Sequence, residues 1–380
     1  MARDFLRQLP KGNNARTFSL LSWLCLDPWL FFLLLVLSCA GLTVLHSASD
    51  GDWLMLKRQM IFMGFGYLMM MVVARIPQML VKQVSPFLYL FSIALLVLVM
   101  FFGTGAKGAQ RWLDLPLLPR FQPSELVKLA LPVFLARYFQ HQILPPKFQH
   151  IVLSLFIIGL PTILILEQPD LGTSILIALS GLVVLFVAGL AWRYILAAFV
   201  LLAMAVPVMW FYVLHDYQRQ RVLTLLNPEA DKWGAGWNII QSTTAIGAGG
   251  VSGKGWQLGT QSHLHFLPES HTDFIIAVLA EEFGYIGVVA LLSINLMIVG
   301  RGFWIAAHAP DVFGRLLASS ITFIYFVYLF VNMGMVSGIL PVVGVPLPLV
   351  SQGGTSIVTL LCGFGMLMSI ATGTRRMNQS

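Results

Sequence analysis

Charge is what this chain of 380 residues lacks: Asp, Glu, Lys and Arg together make up 10% of it, while 58% is hydrophobic. Soluble domains carry about 25% charged and roughly 45–50% apolar residues, so an ordinary soluble enzyme is excluded. From Leu316 to Thr374 there is no charged side chain at all. That run is too long for one membrane span of about 20 residues and suits two. Cysteine is scarce as well. Cys25, Cys39 and Cys362 show neither metal-ligand spacing nor an evident pairing, so a disulfide framework and a zinc site drop out. No internal repeat and no low-complexity tail is present, so the inverted-repeat signature of many transporters is not evident.

What is present is a series of long apolar blocks. Ten segments can be drawn, at 29–48, 59–76, 84–103, 122–139, 149–166, 171–190, 193–214, 272–299, 313–337 and 347–371. Asp27-Pro28, Ile76-Pro77 and Pro169-Asp170 supply turns at segment ends. Arg3, Arg7, Lys11 and Arg16 ahead of the first block superficially resemble a signal peptide, but the block is long and more spans follow, so an uncleaved first helix is expected. An even number of spans puts both termini on one side. On that side fall those four residues with Arg75, Lys82, Arg137, Lys147, Arg193, Arg301, Arg315, Arg375 and Arg376, whereas the short loops opposite hold only Lys57, Arg58, Lys107, Arg111 and Arg120. Positive residues stay inside, so both termini are expected in the cytoplasm. The net charge of +7 then reports orientation rather than nucleic-acid binding. The expected architecture is an all-α polytopic membrane protein, one membrane domain over 1–380 with ten transmembrane helices. It has a cytoplasmic amino-terminal segment (1–28), a large outer loop between helices seven and eight (215–271) and a cytoplasmic tail (372–380).

The loop 215–271 is the one long polar connection, and long connections are usually functional. It carries Arg219 and Arg221, then the small-residue tract Gly247-Ala248-Gly249-Gly250-Val251-Ser252-Gly253-Lys254-Gly255-Trp256, and ends at His271-Thr272-Asp273. The tract fails the P-loop pattern, since Ala248 stands where the first glycine is needed and Gly255 where Ser or Thr is needed. It reads as a flexible or tightly turning loop, with Lys254 a candidate for meeting an anion. Asp273, placed in the first turn of segment eight, reads either as a helix-start carboxylate favoured by capping and the helix dipole or as a base at the membrane boundary. Glu125 and Lys128 are three apart, hence on one helix face, and read as an ion pair or part of a proton path. Glu281 and Glu282 read as further intramembrane acids. Lys107, Arg111, Arg219, Arg221 and Lys254 are either solvated or a pyrophosphate-binding set, for which guanidinium forks are well shaped. The Pro- and Gly-rich stretch Ser337–Pro348 must be buried or line a cavity if it lies at membrane depth.

Taken together, the motifs resemble the SEDS family. The stretches that carry the likeness are Lys107–Leu113, Phe121–Glu125, Glu167–Thr173, Asp216–Arg221, His271–Phe274 and Gly338–Pro346. They run through nearly the whole chain in order, with Gln352 a departure where the family often has Tyr. The resemblance implies a peptidoglycan glycosyltransferase of the bacterial inner membrane that polymerises lipid II on the periplasmic face during cell elongation. It also implies a class B penicillin-binding protein as the transpeptidase partner, alongside other elongation-complex membrane proteins and no nucleic acid. The family's essential aspartate corresponds to Asp273, expected to be the catalytic base, and its paired acid and lysine to Glu125 and Lys128, expected to be structural or gating. No particular cofactor is implied; a divalent cation, magnesium or manganese, could share the work of the basic residues, and the sequence has no diagnostic metal motif. The competing readings are a lipid II flippase or other transporter, which needs the buried acids and not Asp273, and a non-catalytic scaffold, which tolerates change at every polar position.

Overall fold

The computed structural model describes residues 26–106, 109–114, 120–213, 216–231, 234–263, 267 and 269–377. The segment 1–25 and the last three residues, which include most of the expected cytoplasmic termini, lie outside that set. Among the described residues ten long helices form as the apolar blocks dictate: α1 (Pro28–Ala48), α2 (Trp53–Arg75), α3 (Gln78–Phe102), α4 (Pro123–Gln140), α5 (Phe148–Leu166), α6 (Leu171–Val187), α7 (Trp192–Val208), and later α11 (Ile275–Ala307), α12 (Val312–Val336) and α13 (Thr355–Met377). Eight of the described helices are long and apolar enough to cross a membrane. The exceptions are α4, which carries Glu125, Lys128 and Arg137, and α6, which is short. Between α3 and α4 runs an antiparallel hairpin, β1 (Thr104–Ala106) and β2 (Ala109–Trp112).

Helix starts follow local chemistry. Asp27, Asp52, Asp170 and Asp311 each cap a helix with a side-chain oxygen on a backbone N–H, satisfying donors a helix leaves unpaired. Asp27 also holds Arg301 through two bonds, 3.1 and 2.7 Å, so the start of α1 is tied to the far end of α11. Close packing elsewhere uses small residues, as membrane helices do. A Cβ on Gly365 of α13 would lie 2.6 Å from the Met70 carbonyl of α2, and one on Gly66 would lie 2.6 Å from Leu361.

Two differences from the expected spans have physical causes. The connection 215–271 is largely helical, with α8 (Asp216–Leu226), α9 (Ala235–Gly249) and a single turn, α10 (Thr260–His263). The eighth segment begins at Ile275 and breaks at Gly284, whose φ of 65° and ψ of −162° are not helical. The tract after α9 inserts into that break. Lys254 N and Gly255 N donate to the carbonyls of Glu281 and Glu282, both at 3.0 Å, while Tyr285 N and Ile286 N donate to Gly250 O and Val251 O at 2.9 and 3.2 Å. The peptide groups freed by the break are therefore bonded by the loop, as buried backbone must be. Only glycine permits the approach: a Cβ on Gly249 would sit 1.9 Å from Ala280 O, and one on Gly253, at φ 78°, 2.1 Å from Glu282 O.

Candidate active site at one end of the bundle

Asp273 lies in a turn just ahead of α11, not in its first turn, and Phe274 holds the N-cap position without a side-chain cap. The turn is set by Glu269 at φ 57°, whose carbonyl accepts from Thr272 N at 3.1 Å and Phe274 N at 3.3 Å. Opposite it runs the non-helical stretch between α12 and α13. Pro341, Pro346 and Pro348 deny this stretch helix donors, and Gly338 and Gly344 turn it at φ 73° and 79°. As an apolar segment outside a helix it must find partners inside the protein, and it does. Asn332 of α12 donates both to Asp273 O at 2.9 Å and to Val345 O at 2.7 Å. Ser351 Oγ accepts from Leu347 N at 2.8 Å and donates to Thr272 O. Gln352 N donates to His271 O at 2.9 Å. Gln59 of α2 clamps the same stretch from the other side, giving Nε2 to Ser351 O at 3.0 Å and taking Gly353 N at 3.2 Å. The Asp273 carboxyl faces Gly344, where a Cβ would come within 3.4 Å of Oδ2. The side chain is half-buried, a suitable setting for a base that must reach a substrate hydroxyl.

The other motifs gather around this turn. At the start of α6, a Cβ on Gly172 would lie 2.4 Å from Val343 Cγ1, so that helix end packs directly on the stretch beside Asp273. Asp170 there caps its own helix and takes Gln122 Nε2 at 3.4 Å. The Arg111 guanidinium approaches Asp170 at 3.6 Å and donates to Pro169 O, which docks the β1–β2 hairpin on the same corner. One turn further into the bundle from Asn332, Tyr328 meets Lys128, whose Nζ also pairs with Glu125 Oε1 at 2.6 Å and sits 5.0 Å over the tyrosine ring. The expected ion pair is present and buried. These three side chains border a cavity of about 60 Å³ between α4, α12, α13 and the non-helical stretch. A few waters fit such a space, but not the roughly 300 Å³ or more of an ordinary ligand pocket.

The remaining sequence candidates fall elsewhere. Glu281 and Glu282 are both buried, within the long apolar helix α11. Glu282 accepts from Ser47 Oγ near the end of α1, roughly 30 Å along that helix from the Asp27–Arg301 pair. The fully buried Glu281 carboxylate takes Lys254 Nζ at 2.7 Å, Thr260 N at 2.8 Å, Thr260 Oγ1 at 3.0 Å and Gln261 N at 3.1 Å. The Lys254 ammonium is thus committed to an internal ion pair. Arg219 is turned to Asp216 at 3.4 Å and Phe211 O at 3.1 Å. Arg221 is half-buried on the same helix, and Lys107 lies outside the described residues. Among the described residues no group of His, Cys, Asp and Glu is arranged to hold a metal ion. Sequence reasoning passed over Asn332, Tyr328 and Gln59. The available signal was a lone amide or phenol inside an apolar helix, since polar groups at that depth need partners.

The arrangement of motifs agrees with the comparisons to known proteins. A family model described as cell cycle protein, FtsW/RodA/SpoVE, matches residues 19–376. The chain belongs to that family. Within it, the chain is 52% identical over 355 residues to the peptidoglycan glycosyltransferase MrdB of Escherichia coli, covering 93% of this chain and 96% of that protein. It is 38% identical over 368 residues to the probable peptidoglycan glycosyltransferase FtsW of Geobacter sulfurreducens, covering 91% and 95%. A solved structure on the coordination of polymerization and crosslinking by a peptidoglycan synthase complex has a TM-score of 0.82 at 32% identity, over 93% of this chain and 99% of that one. The crystal structure of the rod shape determining protein RodA of Thermus thermophilus gives 0.70 at 29%, over 92% and 97%. Like those relatives of the FtsW/RodA/SpoVE family, this is a multi-pass membrane protein built of helices.

Proposed function

We propose that the chain is a peptidoglycan glycosyltransferase that polymerises lipid II, with Asp273 as its general base. The observation that carries this is the anchoring of Asp273. Its backbone is fixed through Asn332 and Ser351, while its half-buried carboxyl sits where Gly344 leaves room beside it. The donor sugar is α-linked to pyrophosphate and the product is β-1,4-linked, so the anomeric carbon inverts by single displacement. The acceptor hydroxyl needs a base within hydrogen-bond reach. The departing undecaprenyl pyrophosphate needs only cations, unlike a glycosidase leaving group, which needs a second, acidic carboxyl. Arg111, docked on the corner beside Asp273, is the cation placed for this role, with Lys107, Arg219 and Arg221 as further candidates, while Lys254 holds the loop against Glu281. A divalent cation, magnesium or manganese, would bind chiefly through the substrate's phosphates, the usual pattern for magnesium at such sites. Glu125 and Lys128, tied to Tyr328, steady α4 against α12 beneath the site.

The excess of positive charge on the side expected to carry the termini supports a cytoplasmic location for both of them and a periplasmic one for Asp273, the face on which the glycan would grow. A class B penicillin-binding protein is the proposed partner, because a polymer of lipid II requires a transpeptidase to crosslink it. The test is polymerisation of labelled lipid II by the purified protein with that partner. Wild type should give a ladder that a muramidase digests, and a folded Asp273→Asn variant should give none. Transport of lipid II across vesicles without any polymer would hand the protein to the flippase reading.

A further inference from the structure

The opposite end of the bundle carries a cationic cleft that the catalytic reading does not use. It opens between the start of α3, the end of α4 and the α11–α12 connection, with a volume of about 670 Å³, and is bordered by Lys82, His141, Asp311 and Arg315. A second cleft of about 520 Å³ adjoins it at Pro310 and Asp311 and is bordered by Arg75. The one carboxylate here is already engaged. Asp311 gives Oδ1 to Gly314 N at 3.0 Å and Oδ2 to Lys82 Nζ at 2.6 Å. The Lys82 ammonium has three donors, so pairing with Asp311 leaves it able to serve a second anion. The Arg315 guanidinium is exposed, and no described residue pairs with it. Arg137 stands at the rim, fixed by bonds to Lys82 O at 2.6 Å and Gln83 O at 3.0 Å. The first turn of α12 adds the positive end of its dipole.

We infer that this cleft binds the phosphate of an anionic phospholipid headgroup, with Lys82 and Arg315 as its ligands. A phosphodiester supplies the two or three acceptors that a guanidinium and an ammonium set this way can share, and basic pockets between membrane helices suit such headgroups. The lipid source, rather than a soluble phosphate ester, follows from the wall beside the cleft. On α3 Met79, one turn before Lys82 and on the same helix face, is exposed and apolar. A headgroup in the cleft therefore has a surface along which its acyl chains can run.

The test uses the full-length protein in detergent, titrated with phosphatidylglycerol or phosphatidylcholine. Bound lipid is counted by native mass spectrometry, and the shift in Tm is followed in parallel. Phosphatidylglycerol should bind with a defined stoichiometry and raise Tm, with phosphatidylcholine doing neither. Arg315→Gln should weaken phosphatidylglycerol about fivefold. Arg193→Gln, which removes an exposed cation of α7 outside the cleft, should leave affinity unchanged. Because the Lys82–Asp311 pair could matter for folding, the double variant Lys82→Gln with Asp311→Asn removes both charges together and should reproduce the loss. Equal losses from Arg193→Gln and Arg315→Gln would reduce the effect to general surface charge and overturn the site. Full competition by glycerol 3-phosphate at matching concentrations would reassign it to a soluble phosphate ester, and equal binding of phosphatidylcholine would remove the anion altogether.

Discussion

Asp273 and Glu281 stand eight residues apart in the chain and are handled in opposite ways. Glu281 is wholly buried and its carboxylate is consumed by Lys254, Thr260 and Gln261. At Asp273, Asn332 holds the residue's own carbonyl and Ser351 that of Thr272 before it, and the carboxyl lies half-buried beside Gly344. The first arrangement stabilises a fold; the second, on the proposed function, positions a reagent. A buried carboxylate surrounded by donors is a poor proton acceptor, because the bonds that satisfy it favour its charged form.

Exchanging the roles of the two acids gives the largest expected effects. Asp273→Asn should lower polymerisation by about 100-fold or more, the range for loss of a general base, with Tm unchanged. Wild-type turnover in that variant would remove Asp273 from the chemistry. Glu281→Ala should act in the reverse sense, costing about 2–4 kcal/mol of stability because it leaves the Lys254 ammonium and buried amides unpaired. The signature is a depressed Tm, with activity per folded molecule retained. A variant as stable as wild type but inactive would make Glu281 the reagent and sink the contrast. Lys254→Ala should be milder, since Thr260 and Gln261 still serve Glu281. If instead Lys254→Ala raises KM for lipid II strongly at unchanged Tm, the lysine binds substrate after all.

Smaller effects sharpen the Asp273 half. Asn332→Leu removes the amide that joins Asp273 O to Val345 O, and should cost about 1–2 kcal/mol for two hydrogen bonds together with roughly tenfold in kcat. A loss confined to stability would show that the turn holds its geometry without Asn332. Gln352→Tyr should change kcat less than twofold, because position 352 contacts His271 through its backbone N–H. A tenfold change there would show that the side chain takes part.

Much of the fold was legible in one sequence because hydrophobicity and turn chemistry act locally. The blocks bounded by Asp27-Pro28, Ile76-Pro77 and Pro169-Asp170 become α1, α2, α3 and α6, with α2 and α3 each starting six residues earlier than drawn. Glu125 and Lys128 pair as their i, i+3 spacing requires. The prolines and glycines of 337–348 do leave the helix, and the last helix accordingly starts at Thr355 rather than at 347. Burial was not legible. The blocks that become α7 and α12 are similarly apolar, yet the window of α12 is 72% buried and that of α7 0%. Membrane spans are apolar whether they face lipid or protein, so composition cannot separate them.

The sequence by itself therefore determined which blocks become long apolar helices, where the positive charge concentrates, which residues share a helix face and, through the motifs, the family. Tertiary structure alone decided what the glycine tract is for, since its glycines answer to peptide groups of a broken helix far along the chain. It alone decided that Lys254 and Glu281 neutralise each other. It also decided that Asn332, Gln59 and Ser351 meet around Asp273 and its neighbours, because a hydrogen bond between distant residues leaves no periodic trace in the chain that makes it.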